Sequence, residues 1–381
     1  MRYIPTIRHE NDPIWYKLAN IPWLLLFFIT LQCCIGFMMM YSAASGSIYP
    51  WAFRQVIHFA AFFPIMLTIA VLPIQFWFRY AYLFYLAALL LLIIVEVAGH
   101  TAMGATRWLN FGPLKLQPSE LMKLSLVLAL ARYFHSLPFE SLPKPLALIP
   151  PVLLILMPFA LILKQPDLGT AMILAMLGGG LFFMAGIRIW KFALVLGIIL
   201  ASMPIAWQFL HTYQKNRIFT FLDPEKDPLG AGYNILQSKI AIGSGGFWGK
   251  GLLHGSQSQL HFLPEHQTDF MFTMLTEELG FVGGTLVIGL FACIICYGFM
   301  IALSSRNHFG RLLASGIIIL FFLHVCINIA MVIGLVPVVG VPLPLLSYGG
   351  TMMVTMLTSF GLLLNVYVHR FITFGRTGSS V

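Results

Sequence analysis

Four of the chain's thirteen acidic residues fall within one stretch, LPEHQTDFMFTMLTEELGF (263–281), as Glu265, Asp269, Glu277 and Glu278. Read as a helix that begins at Pro264, the stretch puts Glu265 in the first turn, where the helix dipole favours an acid. Asp269, Thr273, Thr276 and Gly280 then fall within about 40° of one face at 100° per residue. A carboxylate on a polar inner face, kept ionised by nearby cations, is a candidate general base. A structural partner for Arg or Lys is the competing reading of Asp269. Glu278 points the opposite way and Glu277 lies between, so both are expected to fix the helix to its neighbours.

The cations that such a base needs are also present. In LQPSELMK, Lys123 follows Glu120 by three residues, the spacing that places both on one helix face. A lysine at membrane depth costs at least ~2–3 kcal/mol, so it calls for a partner or a task. Arg54 (WAFRQVIH), Arg107 (GATRWLNFG), Arg217 (KNRIFTFLDP) and Lys239 (LQSKIAIG) are four more cations placed on the same side. Any one alone reads as a snorkelling anchor. Together they suit a lipid-linked phosphate or diphosphate. The run GSGGFWGKG (243–251) reads either as tight turns or as backbone amides turned toward an anion; it lacks the form of a Walker loop.

What must position these groups is a membrane bundle. The chain is 59% hydrophobic and 9% charged, against about 25% charged in soluble domains. Apolar runs of about 20 residues recur, and helices satisfy their own backbone in lipid. The expectation is an all-α integral membrane protein of about ten transmembrane helices: 20–41, 52–73, 79–98, 118–135, 146–163, 168–187, 192–211, 270–303, 312–334 and 345–368. The eighth is long enough to tilt or to extend past the bilayer. The chain, 1–381, reads as a single polytopic domain with 212–268 as a large extracytoplasmic loop between spans seven and eight. YNILQSKIAI within that loop is expected to lie along the interface.

Every segment assigned to the cytoplasm carries a basic residue, from Arg2, Arg8 and Lys17 to Arg370 and Arg376. Both termini are therefore expected inside, with no removed signal peptide. Arg54 and Lys123 break that bias on the outer side. The net charge of +9 contains no basic run suited to nucleic acid. Cys293 and Cys296 have a C-x-x-C spacing inside an apolar helix without a second pair, which reads as filler rather than metal or redox chemistry.

At this point a resemblance covers nearly the whole chain. RWLNFGPLKLQPSELMK, QPDLGTA, RIFTFLDPEKDPLGAGYNILQSKIAIGSGGFWGKG, HGSQSQLHFLPEHQTDFMF with EELG, and VPLPLLSYGGT resemble the SEDS family of bacterial envelope proteins. DPLGAGYNILQSKIAIGSGG resembles its elongation branch rather than its division branch. The resemblance implies a ten-span glycosyltransferase of the bacterial inner membrane that polymerises lipid II into glycan strands, with its active site facing outward. It places the family's essential aspartate on Asp269 and its charged pair on Glu120 and Lys123. It also implies a class B penicillin-binding protein as transpeptidase partner, other elongation-complex membrane proteins, and a divalent cation, Mg2+ or Mn2+. Asp269 and Glu120 are the possible metal contacts. Arg54, Arg107, Lys123, Arg217 and Lys239 are candidates to stabilise the diphosphates. A lipid II flippase and a non-catalytic scaffold are the alternatives; the gathering of charge at the outer rim, rather than through both leaflets, favours surface chemistry.

Overall fold

A computed structural model describes residues 13–102, 105–111, 114–209, 215, 219–221, 223, 231–256 and 267–376. In chain order the helices are α1 (Ile14–Ala19), α2 (Trp23–Ala43), α3 (Trp51–Val71), α4 (Ile74–Ala98), α5 (Pro118–Ser136), α6 (Ile149–Lys164), α7 (Leu168–Met184) and α8 (Ile189–Phe209). They continue with α9 (Ala231–Ser244), α10 (Met271–Ser304), α11 (His308–Val332) and α12 (Gly350–Val368). Proline marks the starts: Pro13, Pro22, Pro50 and Pro73 immediately precede α1 to α4, and Pro118 opens α5. Its fixed φ and missing N–H cost least at these positions.

A helix stands at each of the ten expected positions. Among the described residues seven helices are long and apolar enough to cross a membrane. The apolar helices Leu168–Met184 and Ile189–Pro204 are shorter. α5 carries Glu120, Lys123 and Arg132, yet it is buried along most of its length between α4, α7 and α11. α12 runs against α3, and Phe291, Phe321 and Phe360 meet in tilted and edge-to-face contacts where α10, α11 and α12 come together, with ring centroids 5.7 and 5.2 Å apart.

Two features differ from the sequence reading. The molecule is not wholly helical: His100–Ala102, Ala105–Phe111 and Leu114–Leu116 form a three-stranded antiparallel meander, β1-β2-β3, between α4 and α5. Its short β-prone segments are too brief to bury a helix face. The stretch YNILQSKIAI belongs to α9, which packs on α10 and α11. Only part of the loop 212–268 lies within the described residues.

The second difference concerns the long eighth span. α10 has 34 residues, about 50 Å if straight, against a hydrocarbon core of about 30 Å. It is not straight. Gly280 has φ 67° and ψ −165°, a conformation open essentially to glycine alone. A Cβ built on Gly284 would lie 2.8 Å from Thr276 Cγ2 and 3.7 Å from Phe272 Cζ. In an unbroken helix Thr276 and Gly284 would be about 12 Å apart along the axis. The short arm, 271–279, therefore folds back on the long arm, 281–304. The long arm, about 36 Å by the same rise, is enough to span a bilayer.

Candidate active site

Breaking a helix at Gly280 strands carbonyls on one side and N–H groups on the other. The glycine-rich turn supplies both. Lys250 N donates to Glu277 O at 3.1 Å and Gly251 N to Glu278 O at 2.9 Å. In return Phe281 N donates to Gly246 O at 3.0 Å and Val282 N to Phe247 O at 3.2 Å. Gly245 and Gly249 pass so close that a Cβ on either would collide with the carbonyl oxygen of Thr276 or Glu278. Of the two readings of GSGGFWGKG, turn-shaping is the one this geometry uses, because Lys250 and Gly251 spend their amides on the helix break. Lys250 Nζ pairs with the buried Glu277 at 2.7 Å and also reaches Ser256 Oγ at 2.8 Å. Ser42 Oγ lies 2.6 and 2.7 Å from the two oxygens of buried Glu278, which also receives the backbone amides of Leu253 and Gly255. Both glutamates are anchors, as their sequence positions suggested.

Asp269 sits at the other end of the short arm. The helix begins at Met271, so Asp269 stands in the turn before it and not one turn inside, as the sequence reading had it. Pro264 and Glu265 lie outside the described residues. The physical reason is that the carbonyls are already engaged: Gln267 O accepts from Tyr348 N at 2.9 Å, and Asp269 O accepts from Asn328 Nδ2 at 2.8 Å. The first helical bond is Met274 N to Phe270 O at 3.2 Å. Asp269 is half-buried, and a Cβ on Gly340 would fall 3.4 Å from its Oδ2. Thr273 and Thr276 are turned away into the protein. Thr273 Oγ1 meets Ser238 Oγ on α9 at 2.7 Å, and Thr276 Oγ1 donates back to Phe272 O at 3.0 Å.

The loop 335–349 closes this site from the side. Gly340 faces Asp269, and Val341 O accepts from Asn328 Nδ2 at 2.7 Å. Ser347 O accepts from Gln55 Nε2, while Gly349 N donates to Gln55 Oε1, both at 3.3 Å. A Cβ on Gly169, at the start of α7, would fall 2.7 Å from Val339 O. The loop holds no acidic, basic or histidine side chain, so nothing in its composition marks it as part of a site.

Glu120 and Lys123 form the expected pair, at 2.7 Å, with the lysine side chain only 1% exposed. Lys123 Nζ also lies 2.8 Å from His324 Nε2 on α11. His324 Nδ1 contacts Leu320 O at 2.8 Å, and a carbonyl can only accept. Nδ1 therefore carries the proton, and Nε2 accepts from the ammonium. The ammonium is thus held between a carboxylate and a neutral imidazole. Glu120 Oε2 is buried without a hydrogen-bond partner.

Arg107, on β2, grips the elbow between α6 and α7. Its Nε donates to Gln165 O at 3.3 Å, its Nη2 donates to Pro166 O, and Asp167 Oδ2 is 3.7 Å away. Asp167 caps α7 through Thr170 N at 3.2 Å and Thr170 Oγ1 at 2.9 Å. Arg54 is exposed in the first turn of α3, next to Gln55. Lys239 is exposed on α9, and its ammonium end lies over Gly334. Arg217 lies outside the described residues. The structure thus joins Asp269 to Asn328 and to the loop 335–349, which Gln55 holds from α3, and joins Lys123 to His324. His324 and Asn328 had a signal in the sequence, two polar residues four apart in the apolar run FFLHVCINIAMV.

Residues 22–371 match a family model described as cell cycle protein, that of FtsW, RodA and SpoVE. The chain belongs to this family. It is 40% identical over 369 residues to the peptidoglycan glycosyltransferase MrdB of Escherichia coli K12, covering 95% of this chain and 97% of that one. It is 37% identical over 359 residues to stage V sporulation protein E of Bacillus subtilis, covering 91% and 96%. Among solved structures, a chain from a study of polymerization and crosslinking by a peptidoglycan synthase complex superposes with TM-score 0.81 at 31% identity, covering 92% of this chain and 98% of that one. The rod shape determining protein RodA of Thermus thermophilus superposes with TM-score 0.69 at 29% identity, with the same coverage. The resemblance to the SEDS family and its elongation branch is upheld by these matches.

Proposed function

We infer that this protein is a peptidoglycan glycosyltransferase that polymerises lipid II into glycan strands by inverting transfer during cell elongation. The observation that carries this reading is Asp269. Its carboxylate stands on a turn with two carbonyls pinned from outside, in a chain that matches a peptidoglycan glycosyltransferase along 97% of that relative's length.

The chemistry follows from the groups present. The 4-hydroxyl oxygen of the acceptor sugar attacks C1 of the donor sugar. The bond from C1 to the diphosphate oxygen breaks, and the electron pair leaves with the lipid diphosphate. Asp269 takes the hydroxyl proton. An α-linked donor giving a β-1,4 product needs one displacement and no enzyme nucleophile. Arg54 and Lys239 are exposed and able to meet diphosphate oxygens. Arg107 has spent two donors on carbonyls, and Lys123 is enclosed, so both act mainly by holding the site's walls.

The donor set bears on a divalent cation. Among the described residues no three His, Cys, Asp or Glu side chains converge. Lys123 already occupies Glu120 Oε1. One half-buried carboxylate, Asp269, fits Mg2+ or Mn2+ carried chiefly by substrate phosphate oxygens. Such an ion, when bound, supplies charge neutralisation at the departing diphosphate.

The reading extends to surroundings. The ten helices at the ten expected positions form ten spans of a multi-pass protein of the bacterial inner membrane, with both termini in the cytoplasm and Asp269 facing outward. A class B penicillin-binding protein crosslinks the product and binds this chain together with other elongation-complex membrane proteins. The test is lipid II polymerisation by purified protein in detergent, alone and with the transpeptidase, followed by gel analysis of glycan. Polymer from the parent and none from Asp269→Asn is the expected result; no polymer under any of these conditions overturns the assignment.

A further inference from the structure

Asn328 is fully buried on α11, and its amide does one thing. Nδ2 donates to Asp269 O at 2.8 Å and to Val341 O at 2.7 Å, while Oδ1 is buried without a partner. The orientation of the amide follows from these contacts, since a flipped group would set its oxygen against two carbonyl oxygens. An orphaned buried acceptor is costly, and it is kept here where it delivers two donors at once. The two carbonyls belong to the two walls of one gap. Asp269 bears the carboxylate, and Val341 follows Gly340, where a Cβ would fall 3.4 Å from Asp269 Oδ2. One turn earlier, the same helix presents His324 to Lys123 at 2.8 Å. We propose that Asn328 is a positioning residue for the transfer reaction: its amide fixes the Asp269 turn against the loop 335–349 and so sets where the carboxylate stands relative to the acceptor hydroxyl.

This rests on the reading of Asp269 as general base. A shift of about 1 Å in a reacting group is enough to cost on the order of 100-fold in rate. Asn328 is fully buried and touches no substrate, so its removal acts on turnover more than on substrate affinity.

The test compares Asn328→Leu and Asn328→Asp with the parent, purified in detergent and normalised to monodisperse folded protein. Lipid II polymerisation is measured for kcat and KM. Asn328→Leu removes both donors without adding charge. It is expected to lower kcat by on the order of 100-fold with KM changed less than about threefold. Asn328→Asp keeps the shape. Ionised, it repels both carbonyls; protonated, it can donate to one. Its activity as a fraction of the parent's should therefore rise as pH falls from about 8 to 6, since burial raises a carboxyl pKa. A residue that only fills space would lower yield and thermal stability but leave kcat per folded molecule and the flat pH ratio intact, and that result overturns the proposal. If Asn328→Leu gives no folded protein, the pH ratio of Asn328→Asp decides alone. If Asn328→Asp also gives none, disorder of the Asp269 turn is not separable from general collapse, and the positioning role is rejected. An active Asp269→Asn variant would instead sink the base assignment. A dead Asp269→Asn beside fully active Asn328 variants sinks only the positioning role.

Discussion

Thr276 and Gly284 touch across a helix break, although eight residues separate them: a Cβ on Gly284 would lie 2.8 Å from Thr276 Cγ2. The contact depends on Gly280, which lets the short arm fold back and brings Asp269 to the level of Asn328 on α11. Gly280→Ala puts a Cβ into a conformation that L residues avoid, and that Cβ would lie 2.7 Å from Phe247 O. Strain and overpacking together should cost on the order of 3 kcal/mol or more. A large fall in thermal midpoint, with loss of polymerisation, is expected; a variant of parental stability would mean that the break is not fixed by this residue.

Asp269→Asn changes almost no volume and removes the base. Polymerisation should fall by ~10²–10⁴-fold in folded protein. Asp269→Glu should also be poor, because one more methylene moves the carboxylate by about 1 Å in a gap bounded by Gly340. Single-turnover rates with lipid II at matched protein levels check both. Parental rates for Asp269→Asn would remove the residue from the mechanism.

The Glu120–Lys123 pair predicts a distinctive double-variant result. Lys123→Met leaves a buried carboxylate and an imidazole without their common partner, which should cost about 3 kcal/mol. Adding Glu120→Gln should return most of that stability, because the stranded charge is gone. Thermal unfolding in detergent reads the effect. Equal stability of the single and double variants would show that the two residues do not interact as the geometry has them.

Topology can be read with single cysteines in a background whose five natural cysteines are replaced. Trp248, 77% exposed on the glycine-rich turn, and Leu146, 77% exposed between α5 and α6, are suitable sites. An impermeant thiol reagent should label Trp248→Cys from outside and Leu146→Cys only after the membrane is opened. Labelling of both from the same side would refute the orientation.

The sequence by itself determined the largely helical, apolar character of the chain, the places of ten of its helices and the scarce charges, because hydropathy and proline act locally and leave their mark in order along the chain. It determined that Asp269, Glu120 and Lys123 were unusual, since a charge in an apolar run stands out wherever the run folds. It could not determine where the Asp269 helix starts. That depended on Tyr348 N and Asn328 Nδ2, from segments 59 or more residues away in sequence, taking the carbonyls that a helix would otherwise have used. Nor could it show that α10 is two arms, because Gly280 reads as one more small residue on a helix face until the glycine-rich turn arrives to satisfy both broken ends. Only the tertiary structure decided that the loop 335–349, without an acidic, basic or histidine side chain, forms the wall of the site. Its contribution is backbone, and backbone atoms are the same in every residue, so their placement has no signature in composition or spacing.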